Sequence, residues 1–171
     1  MSFVKTSTDE LNVNPFELIG KDWFLITAGD SAENYNTMTA SWGAMGEMWG
    51  KHMFLCAIRP NRHTYGFVEN SEYFTVSCFD PEKYRQMLSF CGSRSGRDYD
   101  KAKETGITPV KIEQSVAFEE ADMILVCRKM YAQDMDESCF IDKDALKFYE
   151  KDPLHKMYIS EIVSVYKSDK K

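Results

Sequence analysis

The sequence contains no continuous apolar run that approaches the roughly 18 residues needed to span a bilayer. Its first residues also lack the basic-then-apolar order of a signal peptide. The formal net charge of -6 at pH 7 argues against a nucleic-acid partner, because affinity for the phosphate backbone depends on clustered lysine and arginine. We therefore expect a cytoplasmic protein that binds neither membrane nor nucleic acid.

The sequence also lacks the regularly spaced cysteines and histidines that are typical of metal sites and disulfide frameworks. The 5 cysteines are odd in number and include no CxxC pair, and the 3 histidines are scattered. Disulfide frameworks and zinc sites need paired or regularly spaced ligands, so this pattern favours reduced thiols and no metal site. The residues concerned are Cys56, Cys78, Cys91, Cys127, Cys139, His52, His63 and His155.

The chain is long enough for one domain with a real core. It has 171 residues, of which 43% are hydrophobic, and it contains neither an internal repeat nor a linker. We expect a single domain over residues 1–171, with its core at about 15–167. Short β-rich segments bounded by Gly, Pro, Asn or Asp predict a mainly β fold, a β-barrel or sandwich with peripheral helices. These segments begin at Asp22, Tyr35, Met53, Tyr73, Ala121 and Met157.

Helices are signalled mainly by their ends. Asp80 followed by Pro81 predicts a helix start, and Gly92 predicts its end. The apolar face of this helix would carry Tyr84, Met87, Leu88 and Cys91. Further helices are predicted from near Asp98 to Gly106, after Asp142 and, briefly, after Arg62.

The segment YNTMTASWGAMG, from Tyr35 to Gly46, predicts a strand with two unlike faces before a Gly-rich turn. Because side chains alternate along a strand, short hydroxyls would lie on one face and apolar groups on the other. The hydroxyl face would leave room for a flat ligand, but the pattern also fits an ordinary half-exposed strand. The hydroxyl face contains Thr37, Thr39 and Ser41, and the opposite face contains Met38, Ala40 and Trp42.

The segment IRPNRHTY, from Ile58 to Tyr65, is a candidate anion site. It places Arg59 and Arg62 just before Thr64, which opens a predicted helix. A helix N-terminus offers unpaired amides, and arginine offers forked donors that suit phosphate. Two solvated arginines in a turn would give the same pattern.

The segment CGSRSGRDYDK, from Cys91 to Lys101, is a flexible loop rich in hydrogen-bond donors. Such loops often close over ligands, although Gly and Ser also make plain connectors. Cys91 is interpreted as a packed helix-end residue rather than a nucleophile, because no His or Asp stands in a known relation to it.

In this order, the segments NTMTASWG, RPNRHTYGFVEN, YFTVS, CGSRSGRDYDKAKETG and HKMYISEIV resemble the flavin reductase-like family, and more narrowly its flavoredoxin-type branch. The resemblance extends from Trp23 to Val165. It implies an FMN-binding split β-barrel of Greek-key type that forms a homodimer with the flavin near the subunit interface. The implied activity is that of an oxidoreductase that reacts at flavin N5 and needs no catalytic side chain.

The resemblance also implies site residues. Those expected at the flavin ring and ribityl chain are Asn36, Met38, Thr39, Ala40, Ser41 and Trp42. Those expected at the phosphate are Arg59, Arg62, Thr64 and Tyr65. The later loop would bring Cys91, Gly92, Ser93, Ser95 and Gly96 near the ring, with Lys101 at the anionic tail.

The segment HKMYISEIV departs from some relatives. Ser160 stands where many have glycine, and His155 follows Pro153 and Leu154 instead of completing the Gly-Asp-His run of the nicotinamide-using branch. His155 is therefore interpreted as a strand-edge or core histidine. The electron donor stays open between NAD(P)H and a redox protein. Alternatives are a flavin-binding module without turnover, for storage or sensing, and a structural barrel dimer without flavin.

Overall fold

The computed structural model describes residues 2–169, in which antiparallel strands are the main type of regular structure. The strands are β1 (Phe3–Thr6), β2 (Phe24–Ser31), β3 (Asn34–Ala40), β4 (Gly43–Met48), β5 (Lys51–Ile58), β6 (Tyr73–Cys78), β7 (Pro109–Ile112), β8 (Ser115–Phe118), β9 (Met123–Asp134) and β10 (Lys156–Ser168). One sheet has the order β3-β2-β6-β9-β10-β5-β4, with β1 also paired to β10. Strands β7 and β8 form a separate hairpin.

The helices are short and lie around the sheet. They are α1 (Pro15–Glu17), which continues as a π-helical turn (Leu18–Asp22), then α2 (His63–Asn70), α3 (Pro81–Ser93) and α4 (Lys101–Thr105). Segments of 3-10 helix occupy Thr8–Glu10, Glu137–Cys139 and Lys143–Tyr149. Within the described residues, none of these helices has the length and apolar character that crossing a bilayer requires.

The connection between β3 and β4 forces the sheet to close. These strands lie at opposite ends of the strand order, yet only Ser41 and Trp42 separate Ala40 from Gly43. Three Cα steps reach at most about 11 Å, whereas the edges of a flat sheet of this width would lie roughly 29 Å apart. The sheet therefore curls into a barrel whose split lies between β3 and β4, at Ser41 and Trp42.

Apolar side chains fill both sides of the sheet. One cluster lies inside the barrel and includes Ile26, Met38 and Leu125. A second cluster lies between the sheet and α3, α4 and the β7-β8 hairpin, and includes Leu25 and Leu88. Strands β2 and β9 contribute buried residues to both clusters, which is why their sequences are nearly continuous apolar runs over residues 24–28 and 123–127.

The structure confirms the predicted mainly β fold with peripheral helices and corrects several boundaries. Helix α3 begins at Pro81 with Asp80 as its N-cap, as predicted, and ends at Ser93. Helix α4 begins at Lys101 rather than near Asp98, because the Asp100 side chain caps it by accepting from the Lys103 amide. The region after Asp142 is a 3-10 segment rather than an α-helix.

The predicted strand from Tyr35 and the Gly-rich turn after it need the largest correction. Strand β3 ends at Ala40, so Ser41 and Trp42 form a connection. The expected turn is instead β4, which pairs with β5 along its whole length, from Gly43 opposite Cys56 to Met48 opposite Lys51. This pairing across the chain overrides a local composition that predicts a turn.

Candidate functional site

A cavity of about 260 Å³ opens beside the split of the barrel. The end of β3 and the connection after it form one wall, and residues from β5, the turn before α2 and the start of β10 form the others. The lining residues are Met38, Thr39, Ala40, Ser41, Trp42, Ala57, Arg59, Arg62 and His155. Five of the six residues predicted at the ring and ribityl chain therefore share one cavity, and Asn36 lies outside it.

The hydroxyl face of β3 is not the open surface that the sequence pattern suggested. Thr37 is buried, and its hydroxyl lies 2.8 Å from that of Thr27. The Thr39 hydroxyl donates to the Leu88 carbonyl of α3 at 2.5 Å. The predicted alternation is confirmed, since Met38 packs inside the barrel, but α3 covers the hydroxyl face. From β3, Met38, Thr39 and Ala40 line the cavity, and Ala40 has the smallest side chain of the three.

The N-terminus of α2 adjoins this cavity. Arg62 is the N-cap residue and makes no side-chain capping bond, and a first helical turn leaves amides without intrahelical acceptors. Arg62 also lines a second cavity, of about 560 Å³, which runs along α2 past His63 and Arg97. Thr64 is only 1% exposed on the inner side of the helix. Arg62 thus lies between the cavity at the split and the candidate anion site at the start of α2.

Positive charge collects around this helix start. Burial lowers the pKa of His63, and the nearby charges of Arg97 and Lys101 lower it further. The Arg97 guanidinium reaches the Asn61 carbonyl at 3.5 Å, so the loop after α3 closes over the turn before α2. Within residues 2–169, neither Arg62 nor Arg97 forms a salt bridge. The local field therefore favours an anion although the whole chain is acidic.

Arg59 has partners of its own. Its guanidinium forms a salt bridge with Asp152 at 2.6 Å and donates to the Phe148 carbonyl at 3.0 Å. These contacts tie the long segment between β9 and β10 to the end of β5. Arg59 was predicted at the phosphate, but the structure gives it a bridging role at the cavity wall, which leaves Arg62 as the available arginine.

Lys101 also has partners within the protein. The side chain is buried, and its ammonium donates to the carbonyls of Thr37 at 2.8 Å and Cys91 at 2.7 Å. It therefore holds β3 against α3. Burial lowers the pKa of Lys101 to about 8, and the nearby charge of Arg62 contributes to the lowering. Most of its hydrogen-bonding capacity is already used by the protein.

The loop from Cys91 to Gly96 is used partly for structure. Cys91 is fully buried within α3, which confirms that it is a packed residue, and burial raises the pKa of its thiol to about 11. The Ser93 hydroxyl donates to the Ser89 carbonyl of the same helix. The Ser95 hydroxyl accepts from the Arg97 amide in the following turn. Gly92 packs so closely on β3 that a Cβ there would lie 3.2 Å from the Thr39 Cβ.

Gly96 lies directly against Asn36, which is 6% exposed. The Asn36 carboxamide oxygen accepts from the Thr37 amide, while its Nδ2 is buried with no hydrogen-bond partner among the described residues. An unpaired buried donor is costly, so a ligand oxygen is a natural acceptor for it. Asn36 and Gly96 are thus brought together as predicted residues of one site, on the side of β3 that the loop covers.

Replacing Gly96 with alanine is expected to destabilise the fold by about 1 to 3 kcal/mol. A Cβ at this position would lie 2.6 Å from Asn36 Nδ2, so the carboxamide or the loop must move. Urea unfolding measures the change. Gly66→Ala is the matched control, because a Cβ there meets nothing within 4 Å and alanine suits a helix interior. Equal stability of Gly96→Ala and the wild type would contradict this packing.

His155 is the residue whose importance the sequence did not reveal. It is 9% exposed, directly precedes β10, and its Nδ1 lies 2.9 Å from the Tyr149 hydroxyl. This confirms the strand-edge interpretation, yet the imidazole also lines the cavity, 5.0 Å from the Trp42 ring. Burial, with the charges of Arg59 and Arg62, lowers the pKa of His155 to about 4, so the ring is neutral at pH 7.

Tyr65 points along α2 rather than toward the cavity at the split. Its hydroxyl lies 3.4 Å from a Glu69 carboxylate oxygen, and its ring borders the second cavity. Ala57, by contrast, was not predicted and lines the first cavity from β5. No spacing in the sequence identifies Ala57 or His155, because only the order of the strands brings them beside β3.

Comparison with known families gives a direct assignment. The model of the flavin reductase like domain matches residues 18–171. The chain therefore belongs to the flavin reductase-like family, as the sequence resemblance predicted.

Solved structures show the same fold. The flavoredoxin of Desulfovibrio vulgaris (Miyazaki F) is 20% identical, with a TM-score of 0.68 over 97% of this chain and 78% of that chain. The FMN-binding domain of a flavin reductases-like enzyme from Shewanella baltica OS155 is 14% identical, with a TM-score of 0.67 over 97% and 77%. These likenesses confirm the predicted split barrel. The comparison with curated proteins found no match.

Proposed function

We propose that this chain binds FMN and acts as an oxidoreductase, either as a flavin reductase or as a flavoredoxin-like electron carrier. The observation that carries the proposal is the position of Arg62, which lines both the cavity at the split and the cavity along α2. FMN combines a flat ring with a phosphate dianion. The cavity at the split is lined in part by small side chains and suits the ring, and the positively charged start of α2 suits the phosphate.

The phosphate end is assigned to Arg62 and the first turn of α2. Arg62 has no salt-bridge partner among the described residues, so its guanidinium is available for a charge-assisted bond. Arg97 adds a second cation at the mouth of the same cavity. The donor set is therefore that of a phosphate site.

The ring end is assigned to the cavity at the split. Ala40 and Ala57 leave space there, and the backbone from Met38 to Trp42 lies along one wall. Bound FMN would supply reversible hydride and electron transfer. The residues of the chain would orient the ring and exclude water, and the neutral His155 imidazole would offer a hydrogen bond without acting as a cationic proton source.

The proposal predicts a yellow protein from which denaturation releases FMN. Anaerobic reduction of the bound FMN then distinguishes a flavin reductase from an electron carrier and from a storage or sensing module. Oxidation of NAD(P)H in the presence of free flavin or ferric iron supports a reductase. Rapid reduction by a low-potential protein donor without NAD(P)H turnover supports an electron carrier. Bound FMN that neither donor reduces supports a storage or sensing module, and a colourless chain that takes up no FMN contradicts the proposal.

We also propose a cytoplasmic homodimer. Exposed aromatic side chains, among them Phe16, Trp49 and Tyr131, supply apolar surface for contact between copies. All five cysteines are free thiols and Cys139 is exposed, which suits a reducing compartment. Analytical ultracentrifugation tests the dimer, and a monomer at micromolar concentration would contradict it.

A further inference from the structure

A cluster of polar side chains holds the C-terminal end of α2. The Glu69 carboxylate accepts from Lys156 Nζ at 2.7 Å and from the Tyr158 hydroxyl at 2.8 Å. Lys129 Nζ donates to the Val68 carbonyl at 2.5 Å and to the Glu69 carbonyl at 3.1 Å. We call Glu69, Lys129, Lys156 and Tyr158 the Glu69 cluster.

The cluster joins a short helix to the rigid sheet. Helix α2 has 8 residues, and only Thr64 and Val68 within it are buried. Val68 belongs to the core inside the barrel, and Tyr65 and Phe67 pack against that core from the same helix. Lys129 comes from β9, and Lys156 and Tyr158 come from β10, where the Tyr158 side chain is fully buried. Apolar packing thus holds α2 on the barrel, and hydrogen bonds to two neighbouring strands fix its C-terminal end.

The charges of the cluster compensate an unfavourable placement. A carboxylate at the C-terminal end of a helix opposes the helix dipole, whereas a cation there is favourable. Lys129 caps the terminal carbonyls, and Lys156 pairs with Glu69. Burial acts to raise the pKa of Glu69, but the bonds from Lys156 and Tyr158 bring it below its ordinary value, so the carboxylate stays ionised. Within the cluster, Lys156 thus compensates the charge of Glu69, and Lys129 satisfies the terminal carbonyls of α2.

The opposite end of α2 carries the predicted phosphate contacts. A helix of this length spans about 12 Å, so a small rotation about its C-terminal anchor displaces the first-turn amides and Arg62. Charge-assisted hydrogen bonds to a phosphate are short and sensitive to direction. Displacement of the helix start would therefore weaken contacts to the phosphate, while the walls of the cavity at the split that come from β3 and β5 would stay in place.

We propose that the Glu69 cluster positions α2 so that its N-terminus and Arg62 meet the phosphate, and that the cluster thereby sets the preference for FMN over riboflavin. This inference rests on the proposed function. The residues of the Glu69 cluster are positioning residues, because none of them lines the cavity at the split. The effect reaches the ligand through the helix.

The test compares FMN and riboflavin, which differ only in the phosphate. Tyr158→Phe removes the hydroxyl bonded to Glu69 and keeps the buried ring. We expect the Kd of the apoprotein for FMN, measured by fluorescence quenching, to rise about tenfold, while the Kd for riboflavin stays unchanged. Tyr166→Phe is the matched control, since Tyr166 lies on the same strand and donates to Glu113 at 2.6 Å, away from α2. It should leave both constants unchanged.

Each outcome has a distinct meaning. If the wild type prefers FMN and Tyr158→Phe keeps that preference, or weakens both ligands equally, the positioning role is wrong and the proposed function stands. If the wild type binds FMN and riboflavin equally, the phosphate site at α2 is wrong and the inference fails with it. Should Tyr158→Phe not fold, Lys156→Gln removes the ion pair to Glu69 from a partly exposed position and should lower the same preference.

Discussion

Replacing Arg62 with alanine is expected to weaken FMN binding by about 1.5 to 3 kcal/mol, which is a loss of roughly 10- to 150-fold in affinity. Arg62 is the N-cap of α2 and lines both cavities, so the substitution removes a charge-assisted bond at the point where they join. No carboxylate among the described residues pairs with Arg62, so the variant leaves no acidic partner unpaired and should fold normally. Titration of the apoprotein with FMN measures the loss.

Arg128→Ala provides the control for this prediction. Arg128 forms a salt bridge with Glu161 at 2.6 Å on the outside of the barrel, so its loss removes an arginine of similar exposure without touching the cavity. FMN affinity should then be unchanged, with at most about 1 kcal/mol lost from stability. Unchanged affinity in Arg62→Ala would move the phosphate away from α2, and Arg97 would become the next arginine to test.

The parts of the fold that sequence predicts well are those with local signals. Helix α3 carries its own N-cap and proline, and its apolar face packs against the sheet as predicted. Strand β4 shows the opposite case. Its sequence GAMGEM lacks β-branched residues, and only its pairing with β5 makes it a strand. The hairpin of β7 and β8 and the pairing of β1 with β10 are likewise tertiary features without a strong local pattern.

The candidate site follows the same division. The sequence pattern placed Met38 and Ala40 on one face of a strand, and their shared cavity agrees with that. It did not reveal that α3 would cover the opposite face, because that depends on the Thr39 bond to Leu88, 49 residues away. Alternation therefore predicts which residues share a face, while packing decides which face stays open.

The sequence predicted Arg59 and Lys101 as ligand contacts. It could not identify their partners within the protein, because those partners are remote in sequence. Arg59 pairs with Asp152, 93 residues further on, and Lys101 donates to Thr37, 64 residues before it. An isolated motif contains neither partner, so a structural cation and a ligand-binding cation look alike within it. The position of His155 at the cavity was missed for a similar reason, since its neighbours Trp42 and Arg59 come from the connection after β3 and the turn after β5.

Replacing Ala40 with leucine is expected to abolish FMN occupancy while the chain still folds. Ala40 is the half-buried small side chain at the end of β3, and it borders the cavity of about 260 Å³ at the split. The barrel core on its inner side is closely packed, so a larger side chain must extend into the cavity. The added volume therefore falls where the flavin ring is proposed to lie, and the absorbance of the purified protein and its thermal midpoint measure the two effects.

Ala44→Leu is the matched control because it makes the same change on β4, where Ala44 is also half-buried but borders a different cavity near α1. Its flavin occupancy should equal that of the wild type, and its stability should change by no more than that of Ala40→Leu. If Ala40→Leu folds and keeps full flavin occupancy, the ring does not lie at the end of β3. The cavity along α2 would then be the next candidate for the whole cofactor, and the division into a ring compartment and a phosphate end would have to be abandoned.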